Sequence, residues 1–238
     1  MKKSFAVFGV LAFCAVATTS AVAFEGEEEP TVVYHVSGGN FTNDSYDNIQ
    51  SGTNYKFVLR FRKNDWWDGD RNTTNNDRQR AEVKGLGSHQ KNNETFEYSS
   101  AWKTNRAGSG GFWHVFQLKA TDGDNGAPLV TNSIKSGTTA NVQIWSGSSS
   151  GSSAVMSYGF SLNTFTTTRI RVKVAASNTG ELRASINGGS LQGKTGIACY
   201  RPSATDYRPK WGSYRGVSAS SPYGDDTVEQ KSFSASKK

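Results

Sequence analysis

Cysteine is scarce in this chain of 238 residues, which has two, and no stretch shows the apolar period of a helix. One cysteine lies in an N-terminal apolar run, so Cys199 would be the only thiol of a processed chain and could form no internal disulfide. Cys199 lies in the apolar run 196–200, which indicates a buried small hydrophobic residue. We therefore expect a hydrophobic core, rather than cross-links, to stabilise the fold.

The sequence also lacks an apolar run long enough to span a bilayer. The longest run, from Phe5 to Ala17, follows two lysines and precedes the small residues Ala21-Val22-Ala23. This order is typical of a secretory signal peptide that is cleaved after Ala23. We predict a signal peptide over residues 1–23 and a secreted, extracellular protein with no membrane partner.

The remaining residues divide into a short leader and one domain. Residues 24–30 are acidic and show no apolar period, which predicts a disordered leader. Residues 31–238 have a length typical of one all-β domain. Four N-x-[ST] sequons predict a glycoprotein, at Asn40, Asn43, Asn72 and Asn93.

Acidic residues are fewer than basic residues in this sequence. Without the two lysines of the signal peptide, the chain has 25 basic and 20 acidic residues. A basic excess favours polyanionic partners. The sequence contains no nucleic-acid-binding module, and acidic polysaccharide is the commoner polyanion outside cells. We expect a monomer that binds an acidic polysaccharide and no nucleic acid.

Polar and apolar residues alternate with period two along most of the chain, which indicates β-strands. Strands are predicted at about 31–36, 55–62, 77–85, 94–102, 113–120, 141–145, 155–162, 167–175, 181–186, 196–200, 210–216 and 228–234. Gly, Ser, Asn and Asp are frequent between them. The pattern predicts an all-β jelly-roll sandwich of two antiparallel sheets with a concave substrate groove.

Charged and polar side chains share one face in three of these strands. Alternation places Arg78, Arg80, Glu82 and Lys84 on one face of the first strand, Gln117 and Lys119 on one face of the second, and Arg208, Lys210 and Tyr214 on one face of the third. These side chains are either solvated charges on the protein surface or together form the floor of one binding site. A further strand has Arg169, Arg171 and Lys173 on one face; these are either solvated or widen the same groove.

Several catalytic patterns are absent. The sequence contains no paired-carboxylate strand of the kind a sandwich-fold glycoside hydrolase needs, and no H-E-x-x-H or Cys/His zinc cluster. Asp122 and Asp124 could offer oxygens to calcium, but the distal glutamate of a calcium loop is missing and a glycine-rich turn explains them equally well. We expect no cofactor and no metal in the reaction.

The residues that are present suit β-elimination on a uronic-acid polymer. This reaction removes the proton at C5, next to a carboxylate, and expels the glycosidic oxygen at C4. Arg80 and Gln117 are suited to neutralising that carboxylate, so that charge can spread onto its oxygens. A tyrosine beside cationic groups has a lowered pKa and can act as base, and as acid when proton and leaving group lie on the same face.

Three motifs resemble those of the jelly-roll polysaccharide lyases, which include alginate, glucuronan and heparin lyases. They are Arg80-Ala81-Glu82-Val83-Lys84, Gln117-Leu118-Lys119 and Lys210-Trp211-Gly212-Ser213-Tyr214-Arg215. The resemblance implies that Arg80 and Gln117 bind the carboxylate and that Tyr214 is both base and acid. It also implies that Lys210 lies nearby and that Glu82 orients Arg80.

Two positions depart from the alginate-lyase motifs. Lys119 replaces a histidine and Arg208 replaces a tyrosine. The third motif is more similar to that of glucuronan or heparin lyases, so we favour a β-1,4-glucuronate polymer as substrate. An alginate lyase and a non-catalytic carbohydrate-binding jelly roll remain as alternatives.

Other residues are candidates for secondary roles. Strict alternation places His114 on the face opposite Gln117, where it would be structural; a bulge would turn it inward, where it could be catalytic. Among the aromatic residues that could stack on sugar rings, Trp66 and Trp67 lie in a polar loop, whereas Trp102, Trp113 and Tyr207 are more typical of core positions.

Overall fold

The computed structural model describes residues 23–28, 33–36, 47–50, 55–59, 78–86, 89–148, 151–216 and 226–238. In the first five strands the description covers the backbone and the side chains of Glu82 and Val83. The predicted signal peptide before Ala23, the loop with Trp66 and Trp67, and the sequons at Asn40, Asn43 and Asn72 lie outside these ranges. The fourth sequon residue, Asn93, is exposed in a turn.

The described residues form strands and no helix. The strands are β1 (Ala23–Glu28), β2 (Val33–Val36), β3 (Asp47–Gln50), β4 (Tyr55–Leu59), β5 (Arg78–Leu86), β6 (Gln90–Lys91), β7 (Thr95–Thr104), β8 (Gly108–Ala120), β9 (Val130–Gly137), β10 (Thr139–Ile144), β11 (Ser153–Gly159), β12 (Thr166–Lys173), β13 (Ala175–Ile186), β14 (Gln192–Cys199), β15 (Asp206–Gly216) and β16 (Asp226–Lys237). None of the described residues forms a helix that is long and apolar enough to cross a membrane.

The strands form two antiparallel sheets, as predicted for a jelly roll. The larger sheet has the order β11-β10-β9-β8-β15-β5-β1-β3, with β6 paired to β15, and the smaller sheet has the order β14-β13-β12-β7-β16-β4-β2. Neighbours in a sheet are often far apart in sequence, since β15 lies between β8 and β5. This non-local pairing brings the three predicted motif strands side by side.

Aromatic residues from both sheets fill the space between them. Tyr98 of the smaller sheet contacts Phe116 and Trp211 of the larger sheet, with ring centroids 5.5 and 6.4 Å apart. Trp211 also meets Phe233 at 5.5 Å. Burial of each such side chain contributes about 1.5–3 kcal/mol to stability. The contacts also decide which face of β15 is inward, since Trp211 is fully buried there.

A buried ion pair joins the two sheets at the end of β15. Arg215, which is fully buried, contacts Asp226 at the start of β16. An unpaired buried charge is strongly unfavourable, so each of the two residues requires the other. Cys199 is also buried, and burial raises the pKa of its thiol to about 12. The prediction of a small hydrophobic core residue at Cys199 is therefore confirmed.

Four strands lie where the sequence predicted none: β1, β3, β6 and β9. Residues 24–28 of the expected disordered leader, together with Ala23 of the predicted signal peptide, form β1, which lies between β5 and β3. The register places Glu25 opposite Lys84 and Glu27 opposite Glu82. Strand β9 was not predicted, because Asn132 interrupts its inward apolar positions. Its Oδ1 accepts a hydrogen bond of 2.7 Å from the Tyr158 hydroxyl, whereas its buried Nδ2 has no hydrogen-bond partner among the described residues.

The second basic strand lies in the other sheet. Arg169, Arg171 and Lys173 belong to β12, which pairs with β7 and β13. Arg171 donates to Glu97 at 3.1 Å, and Arg169 lies 3.9 Å from the same carboxylate. The suggestion that this strand widens the groove of the motif strands is wrong, because the smaller sheet does not contain those strands.

Candidate functional site

The three motif strands are neighbours in the order β8-β15-β5. Tyr214 lies opposite Arg80 of β5 on one side and opposite His114 of β8 on the other. Lys210 lies opposite Lys84 and Gln117 in the same way. Because residues directly opposite one another in an antiparallel ladder share a face of the sheet, these form two transverse rows. One row contains Tyr214 and the other Lys210.

These rows lie on the outer face of the larger sheet. Along β15, Trp211, Ser213 and Arg215 alternate inward and are buried between the sheets. The intervening residues therefore face outward. Tyr214 is 9 % exposed and Lys210 is 4 % exposed, so the outer face is a closely packed surface at this position.

A bulge brings His114 to the face of Gln117. Val115 of β8 has no opposite residue on β9, because the register of that pair shifts between His114 and Phe116. On the other side, the register with β15 is also irregular, between Trp211 and Tyr214. The carbonyl of Val115 instead accepts a hydrogen bond of 2.7 Å from the buried amide of Gln230. The expectation from strict alternation was therefore wrong: the extra residue turns His114 toward Tyr214, with ring centroids 5.8 Å apart.

Glu82 and Gln117 meet across β15. The Gln117 amide donates to Glu82 Oε1 at 2.5 Å, although the two residues lie on strands that are not adjacent. Gly212 lies opposite Glu82 and has a φ of 144°, a conformation that favours glycine. The absence of a side chain at Gly212 leaves the path between the amide and the carboxylate open. Both residues are buried, so the amide has a fixed orientation.

His114 is held neutral and rigid. It is 4 % exposed, and burial, with a smaller contribution from the charge of Lys135, lowers its pKa to about 3. Its Nδ1 lies 2.8 Å from Ser133 Oγ. Its ring stacks on Phe112, which also contacts Tyr214 edge-on, both at centroid distances of 5.1 Å. The three rings pack together and restrict the orientation of the Tyr214 phenol.

Cationic residues continue along β15. Arg208 lies opposite Lys119, and both are partly buried. The Nε–H of Arg208 is buried and makes no hydrogen bond with any described residue. Since an unsatisfied buried donor is costly, an anionic group that reaches this guanidinium and accepts its hydrogen bond would stabilise it.

The other predicted residues are placed as follows. Arg78 lies opposite Gly216 at the end of the β5–β15 ladder, so its backbone belongs to the same strand pair. Trp102, Trp113 and Tyr207 are buried, which confirms that they are core residues. The predicted stacking pair, Trp66 and Trp67, lies outside the described residues.

The carboxylates of the possible calcium loop bind protein groups. Asp122 accepts hydrogen bonds from the Thr205 backbone and hydroxyl and from the Asp206 backbone. Asp124 accepts from Arg201 at 2.5 Å. Within the part of the chain that the structure describes, no group of three or more His, Cys, Asp or Glu residues could hold a metal ion.

Three residues of this site were not identified from the sequence. Phe112 contacts both His114 and Tyr214, Ser133 contacts His114, and Trp145 lies beyond Ser133 on the same face. Ser133 belongs to the strand that was not predicted, so no signal was available for it. Phe112 follows two glycines just before the bulge, a pattern that indicates irregular strand geometry and could have identified it.

Comparison with known proteins supports the fold. No protein-family model matches the chain, and no curated protein matches it. Among solved structures, an alginate lyase of polysaccharide lyase family 7 has a TM-score of 0.56 at 14 % identity, covering 89 % of this chain and 85 % of that chain. The fold is thus the jelly roll found in polysaccharide lyases.

A higher structural similarity is seen with endo-β-1,4-glucuronan lyase from the fungus Trichoderma reesei. The TM-score is 0.66 at 13 % identity, over 92 % of this chain and 91 % of that chain. The GH131 β-glucanase catalytic domain from Podospora anserina also matches, with a TM-score of 0.50 at 12 % identity over 77 % of this chain and 72 % of that chain. Because a β-glucanase shares the fold, the fold alone does not define the reaction.

Proposed function

We propose that this protein is a secreted polysaccharide lyase that cleaves a β-1,4-linked glucuronate polymer by β-elimination. The observation that carries the proposal is the row in which Tyr214 lies between Arg80 and His114, with Gln117 on the same face. The similarity in fold to a glucuronan lyase supports the same conclusion.

Carboxylate neutralisation is assigned to Arg80 and Gln117. The Gln117 amide uses one N–H on Glu82, which fixes the amide and leaves its second N–H for a substrate carboxylate. A fixed dipole aimed at developing charge stabilises the transition state without reorganisation. Arg80, opposite Tyr214, is the cation that the register places nearest to the phenol. Lys210 is four residues away from Tyr214, or about 13 Å of strand, so its charge acts on the phenol more weakly.

Tyr214 is assigned the proton transfers. It accepts the proton from C5 of the uronate, the electron pair forms the C4–C5 double bond, and the C4–O4 bond breaks. In glucuronate the proton and leaving group lie on the same face, so the same phenol returns the proton to O4. His114 has a pKa of about 3 and is too weak a base for this step near neutral pH.

The three motif strands supply one carboxylate, Glu82, on the side of the site near Tyr214. A glycoside hydrolase uses two carboxylic residues on either side of the scissile bond. In β5, β8 and β15 the acids are Glu82 and Asp206, and the neighbouring strand β1 places Glu27 opposite Glu82. Glu82 is bound to Gln117, whereas Asp206 lies at the other end of β15 from Tyr214 and binds Lys91 and Thr121.

Polymer binding is assigned to the cationic residues of the same face. Arg208, with its unsatisfied Nε–H, and Lys119 and Lys210 beside it supply positive charge along β15. A polymer with a carboxylate on every sugar would complement this charge. We propose that Lys84 and Arg78 extend this surface along β5 and that Trp66 and Trp67 stack on the sugars.

The test is a panel of glucuronan, alginate, heparin and pectate treated with the purified protein. We expect glucuronan to give products that absorb in the ultraviolet, because elimination creates an unsaturated uronate. New reducing ends without that absorbance would indicate a hydrolase. Polymer binding without either product would indicate a carbohydrate-binding module, and cleavage of alginate alone would replace the substrate assignment.

A further inference from the structure

A chain of side-chain hydrogen bonds lies behind His114. Ser133 Oγ lies 2.8 Å from His114 Nδ1 and donates to Thr131 Oγ1 at 3.0 Å. Trp145 Nε1 donates to the same Thr131 oxygen at 3.4 Å. The chain runs across β8, β9 and the end of β10 on the outer face of the larger sheet.

Counting protons along this chain determines the tautomer of His114. A serine hydroxyl has one proton, and that of Ser133 is used on Thr131. Ser133 Oγ can therefore only accept from the imidazole, which places the ring proton on Nδ1. In a neutral imidazole the other nitrogen, Nε2, is then a hydrogen-bond acceptor. Nε2 makes no hydrogen bond within the described part of the chain.

The acceptor on His114 and the donor on Gln117 are complementary to different parts of a uronate. A carboxylate can only accept hydrogen bonds, so it fits the amide N–H of Gln117 and not Nε2. A sugar hydroxyl can donate to Nε2. The site therefore has one side suited to the carboxylate and, in the row of Tyr214, another suited to a hydroxyl.

We propose that Ser133 is a positioning residue that holds His114 as the Nδ1–H tautomer, so that Nε2 accepts a hydrogen bond from a hydroxyl of the sugar bound beside Tyr214. This inference rests on the proposed function, because the sugar is the substrate of the proposed lyase. Thr131 sets the direction of the chain by accepting the proton of Ser133.

Ser133→Ala has a matched control in Ser213→Ala. Both serines are fully buried, and each has its Oγ 2.8 Å from a ring nitrogen, Nδ1 of His114 for Ser133 and Nε1 of Trp113 for Ser213. Ser213 faces the core, whereas Ser133 faces outward. Thr131→Val is a second variant that keeps both His114 and Ser133. It releases the Ser133 proton, so Ser133 can then donate to Nδ1 and favour the Nε2–H tautomer.

The first readout is the nitrogen-15 NMR spectrum of the histidine side chains. The signals of His114 are identified because they disappear in His114→Gln. We expect protonated Nδ1 in the wild type, a shift toward protonated Nε2 in Ser133→Ala and Thr131→Val, and no change in Ser213→Ala. Protonated Nε2 in the wild type, or an unchanged tautomer in both variants, would overturn the proposal. This readout requires no activity.

The second readout separates substrate binding from turnover on the polymer that the wild type cleaves. Loss of one neutral hydrogen bond should raise KM about three- to tenfold in Ser133→Ala and leave kcat nearly unchanged. Ser213→Ala should have the KM of the wild type. An unchanged KM in Ser133→Ala would refute the sugar contact even if the tautomer assignment is correct. If no polymer is cleaved, the proposed function fails, and polymer affinities of the two variants still test the contact.

Discussion

The protonation state of the buried residue His114 determines which hydrogen bonds its imidazole can make at this site. The imidazole lies between Phe112 and Tyr214 and is neutral because burial disfavours its charged form. Protonation of the ring would remove the hydrogen-bond acceptor at Nε2. The neutral form therefore keeps a hydrogen-bond acceptor at His114 on the same face as the amide donor of Gln117.

This burial predicts how stability depends on pH. The unfolded chain binds a proton at His114 below about pH 6.5, whereas the folded protein does so only below about pH 3. The free energy of unfolding should therefore fall as the pH decreases from about 6.5 to 3, by up to about 1.4 kcal/mol per pH unit from this residue. Denaturant unfolding of the wild type and of His114→Gln at several pH values measures the difference.

In His114→Gln this component should be absent, so the stability difference between the two proteins should shrink as the pH falls. Carboxylates with lowered pKa values, such as Asp206, titrate in both proteins and cancel in the comparison. Parallel curves from pH 7 to pH 4 would contradict the neutral, buried assignment.

At the scale of elements, irregular strand geometry assembles the site. The bulge at Val115 turns His114 outward, and Gln230 of the opposite sheet satisfies the carbonyl that the bulge leaves unpaired. On β15, the register with β8 shifts between Trp211 and Tyr214. Gly212 lies in this stretch, between the strands of Glu82 and Gln117, which are hydrogen-bonded to each other. The site therefore depends on two departures from regular alternation on adjacent strands.

Gly212→Ala should disrupt this arrangement. A Cβ would force a strained backbone at φ 144° and would enter the path between Gln117 and Glu82. We expect a loss of about 1–3 kcal/mol in the free energy of unfolding and a large loss of activity per folded molecule. Unfolding curves and the rate of unsaturated product formation measure the two effects.

Gly110→Ala is the control for backbone strain alone. Gly110 has a φ of 98° on β8, and a Cβ there would meet no atom within 4 Å. This variant should lose stability but retain activity per folded molecule. Equal activities of the two variants would show that the Gln117–Glu82 contact is not required.

Period-two patterns were sufficient to predict most strands, but not the bulge. The alternation in β8 looks regular from residue 113 onward because Val115 and Phe116 are both apolar and both point into the core. A sequence pattern cannot show which of two adjacent apolar residues is the extra one. Strict alternation therefore placed His114 on the wrong face, and the alternative with a bulge is the one that the structure shows, whereas alternation placed Gln117, Lys210 and Tyr214 correctly.

At the scale of the whole molecule, period-two alternation could not predict which of the two sheets each strand belongs to. Strand β12 has the cleanest alternation of bases and β-branched residues, yet it belongs to the sheet that does not carry the motifs. Sheet membership depends on pairings between distant segments, such as β15 with β5. The motif resemblance supplied the information that alternation could not, since it associated the three strands with one site.

The candidate site lies on the outer face of the larger sheet, and the inward contacts of β15 position it there. The aromatic core orients β15 through Trp211, and the ion pair of Arg215 with Asp226 fixes its end. These inward contacts determine that Tyr214 and Lys210 face outward. Fold and site are therefore linked through the alternation of a single strand.

The central claim is that Tyr214 transfers the proton in β-elimination, and Tyr214→Phe tests it most directly. The variant keeps the ring that packs on Phe112 and His114 and removes the proton carrier. Formation of unsaturated uronate from glucuronan, measured by ultraviolet absorbance under saturating polymer, should fall by at least about two orders of magnitude. Polymer affinity should be unchanged, and the free energy of unfolding should change by no more than about 1.5 kcal/mol. A turnover within a few fold of the wild type in a folded Tyr214→Phe protein would contradict the account.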